Sequence, residues 1–141
     1  PTIIFFKEMI NKDIIRLASN TSNVGLKNKY SHKISLKNST CGDKITLELI
    51  ADKKKISSMK YETISCVYCE ASASLLSRKI KNVKLKDIKN DLITLKKISL
   101  KKNIKIPKRL SDFKKLLNSD NFNRFKCIFL PIDAVLKALK L

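Results

Sequence analysis

Residues 44–63, with the sequence KITLELIADKKKISSMKYET, contain the pattern that predicts the fold. Apolar side chains occupy alternate positions in the first part of this stretch, at Ile45, Leu47 and Leu49. This is the two-residue period of a β-strand. A polar turn at residues 51–54 is followed by a second, returning run. Its apolar side chains are Ile56, Met59 and Tyr61, and the alternation is irregular at residues 57–58. Two such runs around a short polar turn predict an antiparallel hairpin.

The regions on both sides of this hairpin complete the predicted fold. A further strand is expected where Tyr30, His32, Ile34 and Leu36 fall on alternate positions. Apolar residues spaced by three and four predict helices in 2–18, in 67–81, in 79–115 (one or two helices around an irregular linker near 101–107) and in 128–140. We therefore expect an α+β fold, in which helices pack on a small three-stranded antiparallel sheet. The 141 residues have the size of one domain, expected to span 1–141.

The composition limits the possible classes of protein. Apolar residues make up 43% of the chain, yet no apolar run reaches the length of a membrane span or of a signal-peptide core. We therefore expect a cytoplasmic protein without a membrane partner. The two glycines exclude a P-loop and a dinucleotide-binding fingerprint, which need several glycines at fixed spacing. His32 is the single histidine, which excludes two-histidine metal motifs.

The charge of the chain is strongly positive. Lys and Arg together number 31 against 12 acidic residues, a net charge of +19. Such a balance is typical of proteins that bind nucleic acid or another anionic surface. All but four of the basic residues are lysines, however, and specific phosphate and base recognition favours arginine. Lysine excess also results from the codon usage of an AT-rich genome, so a binding surface and a merely solvated surface both remain open.

Three cysteines and one aspartate are placed where a fold of this kind can bring side chains together. Cys41, Gly42 and Asp43 lie between two predicted strands, and Gly42 permits a sharp turn there. Cys66 lies where a strand leads into a helix, and Cys127 lies at or just before the last helix. Three thiolates and one carboxylate predict a tetrahedral zinc site, and soft sulfur ligands also suit iron–sulfur chemistry.

Cys69 follows Cys66 by three residues and would lie on the same helical turn. A single Cys-x-x-Cys pair is a weak signal, because the second pair of a zinc ribbon is missing. Cys69 is therefore a spare ligand, a resolving thiol or, as unpaired cysteines often are, a small buried residue of the helix. We favour the buried residue.

Four segments, taken in chain order, resemble a known family. These segments are Asn20-Thr21-Ser22-Asn23-Val24-Gly25, Ser39-Thr40-Cys41-Gly42-Asp43-Lys44-Ile45, Cys66-Val67-Tyr68-Cys69-Glu70-Ala71-Ser72-Ala73-Ser74 and Arg124-Phe125-Lys126-Cys127. Together they resemble the U-type iron–sulfur cluster assembly proteins (IscU, SufU and NifU N-terminal domains). The family has an Asn-rich loop, a Cys-Gly-Asp turn, a second Cys followed by small residues on a helix, and a third Cys before the last helix.

The resemblance implies a fold, a site and a partner. The fold is a small antiparallel sheet with packed helices, and the site consists of Cys41, Asp43, Cys66 and Cys127. Lys126 stands where the IscU branch has a histidine, and the segment between Cys66 and Cys127 is long, as in the SufU branch. That branch implies bound zinc and a pyridoxal-phosphate cysteine desulfurase as the partner. Cys41 would then accept sulfur while Asp43, Cys66 and Cys127 retain the zinc.

Two other functions remain open at this stage. The same residues would serve a non-enzymatic scaffold on which a transient iron–sulfur cluster is built and passed to a downstream carrier or an apo-protein. A basic nucleic-acid-binding module with a structural zinc is the third hypothesis. It has little support beyond the charge, because the chain has no Trp and only 6% aromatic residues to stack on bases. Nucleic acid is therefore not expected as the partner.

Overall fold

A computed structural model of the protein describes residues 12–39, 42–98 and 105–140. The predicted helix at 2–18 and the predicted linker at 101–107 therefore lie partly outside the described residues. The helices are α1 (Lys12–Ser19), α2 (Val67–Lys79), α3 (Leu85–Lys97) and α4 (Phe125–Ala138), with 3₁₀ helices at Lys108–Lys115 and Ser119–Arg124. The strands are β1 (His32–Lys37), β2 (Lys44–Ala51), β3 (Lys55–Ile64) and β4 (Val83–Lys84).

The hairpin predicted from residues 44–63 is formed by β2 and β3, and its irregularity has a clear role. Ile50 pairs with Ser58 and Ala51 pairs with Ile56, so Ser57 is an extra residue on β3. Without this bulge, Ile56 would point to the face opposite Met59 and Tyr61, because side chains alternate along a strand. The bulge instead allows all three side chains to be buried in the core.

The sheet has four strands in the order β1-β2-β3-β4, and all neighbours are antiparallel. The prediction of three strands was therefore wrong. The added strand, β4, has two residues, which pair with Lys55 and Ile56. Two residues are too few to show a two-residue period, and Val83 also fits the helical spacing that continues into α3.

Helices cover one face of the sheet, as expected. Helix α2 packs against β3, and α4 packs against β1, β2 and α2. Close approach is possible because α2 has small side chains, and Ala71, Ser72, Ala73 and Ser74 are all buried. The buried serines have partners, since Ser72 Oγ donates to the Ile128 carbonyl at 2.6 Å and Ser74 Oγ donates to the Asn20 carbonyl at 2.9 Å.

Helix α4 begins at Phe125, three residues before the predicted start. Pro131 therefore lies inside the helix and not in its first turn. Proline has no N–H to donate to the carbonyl four residues earlier, which belongs to Cys127. The Ser72 hydroxyl contacts the neighbouring carbonyl of Ile128, so α2 contributes a hydrogen bond to the turn that the proline interrupts.

The Asn-rich loop between α1 and β1 is fixed to the sheet on two sides. Gly25 N donates to the Tyr61 carbonyl at 2.9 Å, and Tyr61 N donates to the Asn23 carbonyl at 3.2 Å, so the loop covers this part of the β3 edge. Glu48 Oε1 accepts from Lys27 N at 2.7 Å and from Asn28 N at 3.1 Å. The period-two pattern places Glu48 on the polar side of β2, yet its side chain is buried under this loop.

Among the residues that the structure describes, no helix combines the length and the apolar character that a bilayer crossing requires.

Candidate metal centre

Asp43 lies at the entrance to β2 and is held there by a closed loop. Gly42 N donates to the Asn38 carbonyl at 2.8 Å, and Asn38 N donates to the Asp43 carbonyl at 2.7 Å. Gly42 has φ of +74°, a conformation that a side chain would strain. The turn directs the Asp43 side chain inward, where the residue is only 5% exposed.

Cys66 is the N-cap residue of α2, with an extended backbone (φ −73°, ψ 168°). Its N–H donates to Asp43 Oδ1 at 3.1 Å, and its Sγ lies 3.4 Å from Asp43 Oδ2. The Asp43 carboxylate therefore contacts both the amide and the thiol of Cys66. Because free N–H groups and the positive end of the helix dipole lie at a helix N-terminus, this position favours anionic ligands such as the Asp43 carboxylate.

Cys127 is the third member of the cluster, and it lies far from Asp43 and Cys66 in the sequence. It lies in the first turn of α4 and is 3% exposed. One carboxylate oxygen of Asp43 and the sulfurs of Cys66 and Cys127 lie within 4.8 Å of one another. Three elements that are remote in sequence thus place three ligand atoms around one point.

The geometry of this cluster is compatible with a tetrahedral metal ion. Zn–S bonds of about 2.3 Å imply sulfur–sulfur separations of about 3.8 Å in a tetrahedral site. The separations of up to 4.8 Å therefore need only a small closure around an ion. Zinc accepts both cysteine sulfur and carboxylate oxygen, whereas calcium and magnesium bind oxygen ligands and do not favour the two sulfurs. A tetrahedral site needs one ligand more than the three that the described residues supply.

Cys41, the predicted fourth ligand, lies outside the described residues. It precedes Gly42 in the chain, and its assignment stays a prediction. Cys69 is fully buried within α2 and does not belong to the described cluster. This agrees with its interpretation as a small buried residue of the helix.

Arg124 and Tyr68 form a contact beside the cluster that the sequence pattern did not predict. The Arg124 guanidinium lies 5.4 Å from the centre of the Tyr68 ring. Tyr68 follows Cys66 by two residues, and Arg124 precedes Cys127 by three, so the contact joins the two helix ends that hold the sulfurs. Two large apolar residues near these ends are exposed, Ile64 at 77% and Phe122 at 64%.

A cavity of about 580 Å³ opens next to the residues that follow Asp43 and precede Cys66. Lys44 and Ile64 line its end near the cluster, and Tyr61, Glu62 and Glu70 line other parts of it. Burial raises the pKa of the Tyr61 hydroxyl, and a hydrogen bond with Ser74 opposes this effect. His32 lies on β1 with its Nδ1 2.8 Å from Ser31 Oγ and takes no part in the described cluster.

Residues 9–120 match the family described as the NifU-like N terminal domain. The iron–sulfur cluster assembly scaffold protein IscU of Thermotoga maritima is 31% identical over 105 residues, which cover 74% of this chain and 73% of that protein.

Two crystal structures have the same fold. An N-terminal NifU-like protein from Brucella abortus superposes with a TM-score of 0.83 at 21% identity, covering 96% of this chain and 94% of that one. A protein from Fervidobacterium islandicum, described as a scaffold for iron–sulfur cluster assembly in the SUF system, gives a TM-score of 0.80 at 20% identity, with coverages of 91% and 94%. At these identities the superpositions show the fold.

Proposed function

Because this chain belongs to the family of NifU-like N-terminal domains, we propose that it acts in iron–sulfur cluster biogenesis as a zinc-bound acceptor of sulfur. The family resemblance inferred from the sequence is thereby confirmed, and the finer role is the proposal. The observation that carries it is the convergence of Asp43, Cys66 and Cys127 within 4.8 Å. One core cluster includes residues of the sheet and all four helices, which supports treating 1–141 as one domain.

In this proposal Asp43, Cys66 and Cys127 hold the zinc, and Cys41 is the fourth ligand. Bound zinc would keep its thiol ligands deprotonated near neutral pH. The protein contributes the fixed positions of three ligands: Asp43 in a closed loop, Cys66 at a helix N-terminus and Cys127 in a helical turn. Cys41 adjoins Gly42, whose φ of +74° marks the turn beside the buried carboxylate.

The chemical step is a transfer of sulfane sulfur between two cysteines. The Cys41 thiolate attacks the terminal sulfur of a persulfide on the donor protein. The donor's S–S bond breaks, a new S–S bond forms on Cys41, and the donor cysteine leaves as a thiolate. No net oxidation or reduction occurs. The donor chemistry is that of a pyridoxal-phosphate cysteine desulfurase, and the exposed Ile64 and Phe122 provide apolar contact area for it near the cluster.

The proposal is tested with the purified chain and the cysteine desulfurase of the same organism. We expect the chain to contain one zinc and to increase sulfide release by the desulfurase in the presence of a thiol reductant. Cys41→Ala should abolish the increase. Cys69→Ala is the matched control, because Cys69 is a buried cysteine outside the described cluster, and it should retain the increase. Normal stimulation by Cys41→Ala would overturn the proposal.

A scaffold on which an iron–sulfur cluster is assembled is the second candidate, favoured by the relative named as a scaffold at 31% identity. Cys41, Cys66 and Cys127 would then hold the cluster as cargo. Lys126, next to Cys127, stands at the position where the IscU branch has a histidine. Anaerobic reconstitution with iron and sulfide distinguishes the two functions. A stable cluster absorbance that Cys66→Ala abolishes would favour the scaffold, and its absence would favour sulfur transfer.

A further inference from the structure

A basic groove of about 340 Å³ lies between the end of β1, the end of α3 and one side of α4. Its walls combine lysine side chains with apolar ones, chiefly Lys37, Lys96, Lys126, Lys137, Leu36 and Phe129. One carboxylate, that of Asp133, also lines it, and Lys96 Nζ contacts this carboxylate at 2.6 Å. The groove is therefore both apolar and positively charged.

Three of the four lysines have no intramolecular countercharge in the part of the chain that the structure describes. Lys37, Lys126 and Lys137 are exposed, and none of them lies within 4 Å of a described carboxylate oxygen. They come from separate elements, β1 and the two ends of α4, so the fold and not a local run of sequence brings them together. An anionic partner would find three unneutralised ammonium groups around an apolar surface.

The groove is continuous with the segment that leads to Cys41. Asn38 and Ser39 form part of its lining, and Lys126 directly precedes Cys127. A second depression of about 330 Å³ shares Leu36 and Lys37 with the groove and reaches Gly42. Anything bound along this surface would lie next to Ser39 and Gly42, which flank Cys41 in the sequence.

We propose that the groove binds an acidic segment of the cysteine desulfurase and thereby places the donor persulfide next to Ser39 and Gly42. This inference rests on the proposed function. Glutamate or aspartate side chains of the segment pair with Lys37, Lys126 and Lys137, and its apolar side chains contact Leu36 and Phe129. Charged groups at the rim of an interface mainly set the association rate and the specificity, and their effect decreases with salt.

The test compares two charge-reversal variants of the full chain. Lys37→Glu/Lys137→Glu changes the groove and leaves every proposed zinc ligand in place. Lys53→Glu/Lys86→Glu is the matched control: both lysines are exposed, neither lines the groove, and the net charge changes equally. Lys86 and Lys96 are ten positions apart on α3, which corresponds to about 15 Å along the helix. Zinc content is measured on each variant to verify that the metal site is intact.

Binding to the purified desulfurase is measured at 50 mM and 500 mM salt, and stimulation is measured as a function of chain concentration. At low salt the groove variant should bind about tenfold more weakly than the control, and the difference should decrease at high salt. Half-maximal stimulation should require more of the groove variant, with an unchanged maximum. A change in the half-maximal concentration without a change in the maximal stimulation distinguishes a docking role from a chemical one.

Three results would overturn the proposal. Equal binding of the two variants to the desulfurase would exclude the groove as the docking site and leave the proposed function intact. No binding of the wild-type chain to the desulfurase would overturn both. A fluorescent 20-bp DNA duplex is titrated in parallel. If the groove variant loses affinity for the duplex while its affinity for the desulfurase matches the control, the groove binds nucleic acid instead.

Discussion

Replacement of Asp43 by Asn isolates the contribution of one carboxylate to the proposed metal centre. The amide has nearly the same shape, and its oxygen can still accept the Cys66 N–H that Asp43 Oδ1 accepts at 3.1 Å. The negative charge and the second carboxylate oxygen, 3.4 Å from Cys66 Sγ, are lost. Asp43→Asn should therefore weaken zinc binding with little change in the fold.

The size of the effect follows from the number of ligands. Structural zinc sites with four ligands bind with about 10–16 kcal/mol of apparent free energy near pH 7, or about 2.5–4 kcal/mol per ligand if the four are equivalent. At 1.4 kcal/mol per factor of ten, loss of one ligand weakens binding about 10²- to 10³-fold. The apo-protein keeps an acceptor for the Cys66 N–H but loses the charge of a carboxylate that also contacts Cys66 Sγ, which should lower the free energy of unfolding by about 1–3 kcal/mol.

Zinc affinity is measured by competition with a chromophoric chelator, and the stability of the apo-protein by urea unfolding in EDTA. Asp52→Asn is the matched control. The Asp52 carboxylate also accepts backbone N–H groups, from Lys54 at 2.7 Å and Lys55 at 2.9 Å, but it lies in the β2–β3 turn. Asp52→Asn should leave the zinc affinity unchanged. Wild-type affinity in Asp43→Asn would refute the assignment of this carboxylate as a ligand.

Two further predictions concern stability. Glu48→Gln should lower the free energy of unfolding by about 1–3 kcal/mol, since it removes the charge from an acceptor of two backbone N–H groups. Urea unfolding measures this loss, with the exposed Glu62→Gln as the control. Equal stability of the two variants would contradict the prediction. The raised pKa of Tyr61 means that the folded state disfavours the phenolate, so stability is fully present below the unfolded-state pKa of about 10 and decreases as the pH rises through the folded-state pKa. As the pH rises above about 10, the melting temperature of Tyr61→Phe should fall less than that of the wild type. Equal pH dependence of the two melting temperatures would exclude Tyr61 as the cause of the stability loss.

The hairpin was predictable because its evidence is local. Alternation at Ile45, Leu47 and Leu49 reflects a strand with one face on the core, and the irregularity at residues 57–58 appears in the sequence as a break in that alternation. The two-residue β4 and the burial of Glu48 could not be predicted in this way. Both depend on contacts with distant segments, β3 in one case and the Asn-rich loop in the other, and a periodic pattern contains no information on them.

The candidate site was predictable as a set of residue types at element boundaries, and the structure brings Asp43, Cys66 and Cys127 together. The contact between Arg124 and Tyr68 was not predicted, because no spacing rule connects a residue before α4 with a residue in the first turn of α2. The groove was also missed. Lys37 and Lys137 are 100 positions apart in the 141-residue chain, and a count of charges cannot show that they share one surface.

The wide sequence spacing of the three proposed ligands has a consequence for biosynthesis. Asp43 and Cys66 can meet once the hairpin and the start of α2 have formed, whereas Cys127 is made only after residues 67–126. At elongation rates of about 5–20 residues per second, the nascent chain carries the incomplete pair for about 3–12 s. During that time the Cys66 thiol lacks the shielding of α4, which leaves it accessible to oxidants and to adventitious metal ions. Metal loading of the complete cluster is therefore expected to follow translation, and a chain truncated before Cys127 should be the form most sensitive to thiol oxidation.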